Sequence, residues 1–170
     1  MKNDLPASRL TVGFVGGGPV RALVVYYSET GNTEKVARAI ARGLGAEAVN
    51  VKDVKDVSEY DLLCVGTPVH YFGPAKPVLQ FLDSLPSTPG KMGAAFCTFH
   101  NTGNEKTIQV VRRKLEEKGL TFLGGFSCKG QSRIVANIGP RVFNKGRPNE
   151  EDLRKAEDFG RSLSSHIKKS

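Results

Sequence analysis

Four nearly continuous apolar runs of strand length, "ALVVYY" (22–27), "DLLCVGTPV" (61–69), "MGAAFCTF" (92–99) and "TFLGGF" (121–126), alternate with segments of helical periodicity. Runs without polar alternation suit strands buried on both faces, as in a parallel sheet whose crossovers lay helices on both sides. A weaker, mixed run, "EAVNV" (47–51), suits an edge strand. In "TEKVARAIARGLG" (33–45), Val36, Ala37, Ile40 and Leu44 recur at helical spacing, with Gly43 and Gly45 as stop signals. "AKPVLQFLDSL" (75–85), "NEKTIQVVRRKLEEKG" (104–119) and "NEEDLRKAEDFGRSLSSHIKK" (149–169) read likewise. Right-handed crossovers between such units give an α/β fold, doubly wound, with five parallel strands between two helical layers.

The chain of 170 residues is sized for one domain, with 21–170 as its core and 1–20 as an N-terminal extension. Within 9–21, "RLTVGFVGGGPVR" reads as an extra strand turning through Gly16 to Gly18, or as a mobile extension. Its glycines lack the G-x-G-x-x-G spacing and run into Pro19 and a strand, so they do not form a dinucleotide fingerprint. No apolar stretch is long enough to span a membrane, and "MKNDLPASRL" lacks the apolar core of a secretory signal. Cys64, Cys97 and Cys128 are odd in number and widely spaced, which fits reduced thiols in a cytoplasmic protein. Lys129 beside Cys128 raises the question of a reactive thiol; no base can be placed near it, so the thiol is read as quiet.

Function is written in the loops that follow the strands, because open parallel sheets bind ligands beyond the strands' carboxyl ends. After the first strand comes "SETGNT" (28–33), at the start of a helix. Free N–H groups and partial positive charge at a helix start attract an anion. Ser28, Thr30 and Thr33 add hydroxyls, and Gly31 lets the backbone approach or take a positive φ. A triphosphate site would need G-x-x-x-x-G-K-[ST], which is absent, and Lys35 already lies one turn into the helix. A cradle of hydroxyls and N–H groups without a cation suits one terminal phosphate. Helix capping alone would require only one of these residues.

Two further loops meet at the same edge. "TPVHYFGPAKP" (67–77) holds His70, Tyr71 and Phe72 in a row, a costly exposure unless something flat covers the rings, and Phe72 is the one expected to fold back onto the core. "TFHNTGNEK" (98–106) offers Phe99, His100, Asn101, Thr102 and Gly103 for the edge of a heterocycle. A phosphate at one end and a flat ring between two loops describe a mononucleotide cofactor.

"VVYYSETGNTEKVARAIARGL" followed by "YDLLCVGTPVHYFGPAKPVLQFLDSL" resembles the flavodoxin family over roughly residues 21–165, with S-x-T-G-x-T as its phosphate loop. The resemblance implies the strand order 2-1-3-4-5 and FMN at the switch point. It implies that Ser28, Thr30, Gly31, Asn32 and Thr33 bind the FMN phosphate with help from Thr67. Pro68, Val69, His70, Tyr71, Phe72 and Gly73 would flank one side of the ring, with Phe99, His100, Asn101, Thr102 and Gly103 near its pyrimidine edge. His70 or Tyr71 would stack on it, since the chain has no tryptophan.

Such a flavoprotein is expected to carry electrons between redox partners; the alternative is an FMN-dependent NAD(P)H:quinone-type oxidoreductase, which needs room above the ring. A receiver domain of the same topology would need clustered acids where this chain has hydroxyls. Electron-carrying flavodoxins are usually acidic, whereas here Lys plus Arg number 25 against 17 Asp plus Glu. Five of the cations, and no acid, lie in "SCKGQSRIVANIGPRVFNKGR" (127–147). That stretch suits an acidic partner such as a ferredoxin-like protein or reductase, the phosphates of NAD(P)H, or simply a solvated face. Nucleic acid is not expected as a partner, because no recognition motif accompanies the charge.

Overall fold

The computed structural model describes residues 14–15, 18–136 and 139–167, with side chains outside 14–19 and 133–141. Five strands, β1 (Ala22–Tyr26), β2 (Glu47–Asn50), β3 (Leu62–His70), β4 (Met92–Phe99) and β5 (Thr121–Lys129), pair in parallel in the order β2-β1-β3-β4-β5. This is the doubly wound 2-1-3-4-5 arrangement. Strand β1 is buried along its whole length, as its unbroken apolar run requires, and the mixed strand β2 lies at the sheet edge. Phe14–Val15 pairs antiparallel with Gly18–Pro19 in a two-stranded unit apart from this sheet, so the expected extra strand does not extend it. The rest of the stretch up to residue 13 lies outside the described residues.

Helices α1 (Asn32–Leu44), α2 (Lys76–Ser84), α3 (Asn104–Glu117) and α4 (Glu150–Ile167) complete the layers. Because strand side chains alternate between faces, the core divides into two sets. Val24, Leu62, Cys64 and Phe96 pack with Ile40 and Leu44 of α1 and Ala156, Leu163 and Ile167 of α4. Leu23, Val25, Leu63 and Val65 pack with Val78 and Leu82 of α2 and Val111 and Leu115 of α3.

Of the two glycines read as stop signals, only Gly45 ends α1, in the left-handed conformation with φ 70°. Gly43 lies inside the helix, and its role is contact. A Cβ there would come within 1.9 Å of the Glu157 carbonyl oxygen of α4, and one on Gly160 within 2.2 Å of the Ile40 carbonyl oxygen. The two helices therefore meet backbone to backbone.

The long interruption after β5 is not irregular. It contains a separate antiparallel hairpin, β6 (Ser132–Ala136) with β7 (Gly139–Phe143). Neither strand was legible in a stretch that had been weighed only by its charge.

All three thiols are buried and unpaired. Burial pushes Cys97 and Cys128 up to about 12, with Asp152 adding to the rise at Cys128, and raises Cys64 as well. The quiet reading of Cys128 is thus the one its surroundings favour. Unfolded thiols release protons near pH 8.5, so the folded chain holds protons that the unfolded one has lost. Stability is intact below that pH and falls as the pH rises toward 12, by up to about 1.4 kcal/mol per thiol per pH unit. The urea midpoint is expected to drop between pH 9 and 11, and Cys97→Ala to flatten the drop. Native protein at pH 8 is expected to resist Ellman's reagent until it unfolds; full reaction of folded protein within minutes would contradict this burial.

Candidate functional site

The loop from β1 to α1 starts the site. Gly31 precedes the helix with φ 85°, a conformation glycine adopts at little cost, and open space surrounds the position where a Cβ would stand. No side chain caps the helix, so its first N–H groups face outward without a side-chain acceptor. Ser28 Oγ is turned inward and accepts the Gly31 N–H at 3.1 Å, which shapes the loop. Thr30 Oγ1 accepts from Asn32 Nδ2 at 3.1 Å, leaving the Thr30 O–H to donate outward. The Thr33 hydroxyl is buried and shares a hydrogen with Thr98 of β4, their oxygens 2.8 Å apart.

Three more strand ends close on this loop. Asn32 Nδ2 donates to the Gln131 carbonyl at 2.7 Å, tying the segment after β5 to the β1–α1 turn. Asn144, beyond β7 and left-handed at φ 51°, donates to the His100 carbonyl at 2.6 Å and to the Gly130 carbonyl at 3.2 Å. His100 Nδ1 lies 2.9 Å from Ser132 Oγ, and its ring meets Phe143 edge-on at 4.6 Å. The hairpin after β5 thus buttresses the loop after β4.

Between these loops runs a groove of about 260 Å³. Thr30, Asn32 and Thr33 line one end, and Pro68, Val69, His70, Phe99 and His100 line the rest. Glu29, Thr98, Gly130, Gln131 and Ser132 also face it and were missed by the sequence reading. Gly130 to Ser132 follow a strand's carboxyl end as the other loops do, so position alone would have found them. Across the groove mouth His70 Nε2 stands 3.3 Å from Glu29 Oε2.

The remaining residues expected at the site lie beside the groove. Thr67 is buried, donating to the Pro68 carbonyl at 2.8 Å and accepting the Ala75 N–H at 2.9 Å, so its hydroxyl shapes its own loop. Gly73 pairs with His70 across a tight turn. At the tip of that turn Tyr71 and Phe72 take φ of 47° and 65°, strained values for aromatic residues. Tyr71 is fully exposed, and Phe72, expected to fold onto the core, remains 59 % exposed. Asn101 and Thr102 are exposed, and Gly103, at φ 93°, packs under the neighbouring loop. A Cβ on Gly103 would lie 3.0 Å from Val69 Cγ1 and 3.1 Å from Phe72 Cα, so a side chain there would press these two loops apart.

The donor set fits a mononucleotide. Helix-start N–H groups and the Thr30 O–H at one end can donate to a dianion, and a slot of proline, valine and phenylalanine beside them suits a flat ring. Among the described residues no group of three or more His, Cys, Asp or Glu side chains is arranged to hold a metal, and no helix is long and apolar enough to cross a membrane.

A family model described as flavodoxin domain matches residues 23–138. An uncharacterised protein of Methanocaldococcus jannaschii is 34% identical over 152 residues, covering 85% of this chain and 98% of that one. Among solved structures, a flavodoxin from the domain Archaea superposes with TM-score 0.68 at 24% identity, over 86% of this chain and 97% of that one. A flavoprotein of Lactobacillus acidophilus, solved in complex with FMN, is similar with TM-score 0.53 at 22% identity, over 62% of this chain and 91% of that one.

Proposed function

Since the chain belongs to the flavodoxin family, we propose that it binds FMN in the groove and carries electrons between redox partner proteins. The observation that carries this reading is the uncapped start of α1, which with the Thr30 hydroxyl borders a slot lined by proline, valine and phenylalanine at the sheet's switch point. The phosphate lies against Thr30 to Thr33 with Ser28 shaping the turn, and the ring lies between 68–70 and 99–100. Thr67, Gly73 and Gly103 act by setting the loop shapes. FMN, when bound, supplies the electron-accepting chemistry; the chain orients it and sets its surroundings. Tyr71 and Phe72 stand at the rim, where a partner or the ring itself covers them.

The basic balance of the chain, a net +8, would steer acidic partners such as ferredoxin-like proteins or reductases. Lys129 and Lys145, both exposed near the ends of the hairpin, present that charge beside the groove. Three buried, unpaired thiols suit a reducing compartment, and we place the protein in the cytoplasm as one domain of 21–170 with an extension before it.

Purified protein is expected to be yellow with about one FMN per chain. A colourless protein that takes up no added FMN would sink the reading. Mixed anaerobically with NADH or NADPH and no partner, the carrier stays yellow; rapid bleaching would instead favour an FMN-dependent NAD(P)H oxidoreductase.

A further inference from the structure

The β1–α1 turn itself carries no cation, yet the fold brings two beside it. A second lobe of about 370 Å³ adjoins the groove, larger than the groove itself. Both are lined by Thr30, Asn32 and Gln131, and only the second by Lys35, Gly146 and Arg147. No carboxylate lines it, in contrast to the groove, where Glu29 stands. Arg147 is held in place by Asp152, Nε to Oδ2 at 3.0 Å, and Asp152 is in turn fixed by accepting the Asn149 N–H at 2.9 Å. Lys35 is exposed and has no ion pair among the described residues. Gln131 Oε1 accepts the Gly146 N–H at 3.0 Å, which leaves its NH₂ to donate.

The shared wall is where a flavin phosphate would lie, so a ligand that continues past it, away from the ring slot, enters a chamber flanked by a lysine and a preorganised arginine. A monophosphate cofactor leaves that chamber unused. We propose that the second lobe takes a further phosphoryl group directly beside the first. Its two sources are the adenylyl phosphate of FAD and a free phosphate ion accompanying FMN. The inference rests on the FMN reading for the ligand in the groove; the lobe's affinity for phosphate does not.

Full-length protein in phosphate-free buffer is titrated calorimetrically with orthophosphate and with pyrophosphate, and by flavin fluorescence with FMN and FAD. Pyrophosphate, able to span the shared wall, is expected to bind at least about tenfold tighter than orthophosphate. Lys35→Gln is expected to reduce that advantage to about twofold, and Lys35→Arg to restore it. Where FAD is the source, the same Lys35→Gln weakens FAD about tenfold while leaving FMN within about twofold. FAD binding at least as tightly as FMN assigns the lobe to the adenylyl phosphate. FAD binding more weakly, with FMN tightened by added orthophosphate in a Lys35-dependent way, assigns it to a free ion. Pyrophosphate binding no better than orthophosphate, or Lys35→Gln weakening FMN and FAD equally, overturns the proposal. If neither flavin binds while pyrophosphate keeps a Lys35-dependent advantage, the lobe stands and the FMN reading fails.

Discussion

Gly160→Val is expected to lower the stability by about 3 kcal/mol or more and the thermal midpoint by on the order of 10 °C. Two effects oppose each other at this position. Glycine inside a helix costs roughly 1 kcal/mol relative to alanine, so on propensity alone its replacement would stabilise α4. Contact decides the sign, because a Cβ at 2.2 Å from the Ile40 carbonyl oxygen and 2.9 Å from the Leu44 nitrogen meets backbone that cannot rotate away. The helices would have to move apart, opening the packing of Ile40 and Leu44 against Ala156 and Leu163. Gly43→Ala, facing the Glu157 carbonyl oxygen at 1.9 Å, is expected to behave alike, whereas Asp158→Ala on the exposed side of α4 changes little. Thermal unfolding of the three variants checks this. A Gly160→Val protein as stable as the parent would mean that the helices do not touch as described.

The second large effect concerns the cradle. The double variant Thr30→Ala, Thr33→Ala is expected to weaken FMN by about 10² to 10⁴, because each hydrogen bond to a charged group contributes about 1.5–3 kcal/mol. The two hydroxyls are unequal in the folded chain. Thr30 is exposed and its loss costs little stability, whereas Thr33 is buried and its loss strands Thr98 Oγ1 in a dry site at about 1–3 kcal/mol. Thr98→Val separates these contributions, since it disturbs the buried pair without removing a hydroxyl from the β1–α1 turn. Fluorescence titration of FMN against both variants, with urea unfolding alongside, is the measurement. Unchanged FMN affinity in the double variant would place the phosphate elsewhere.

Much of the fold was legible because buried strands leave an unmistakable record. β1, β3 and β4 are apolar on both faces, so their runs could not be helix faces or half-exposed strands. The hairpin β6–β7 left no such record; it pairs with itself apart from the main sheet, and its sequence carried charge rather than apolar periodicity. The glycine turn opening α1 was legible in residue types alone, since hydroxyls, a glycine and a helix start are local properties. What the turn touches was not, because Asn32 meets Gln131 and Thr33 meets Thr98 across long stretches of chain. Thr67 shows the same limit in reverse: a hydroxyl at a strand's carboxyl end reads as a ligand donor until the Ala75 N–H is found on it. Gly43 was misread for a related reason, as a helix stop and a helix contact call for the same residue and differ only in what stands opposite.

The glycine contact between α1 and α4 also bears on the order in which the chain assembles. It joins the first helix of the alternation to the last, so it closes one of the longest loops in the molecule, and loop-closure entropy is spent before the contact returns anything. An interface of that kind is expected to form late, after the strands between have paired. Its disruption is then expected mainly to hasten unfolding rather than slow folding, which makes the α1–α4 crossing the fold's kinetic lock.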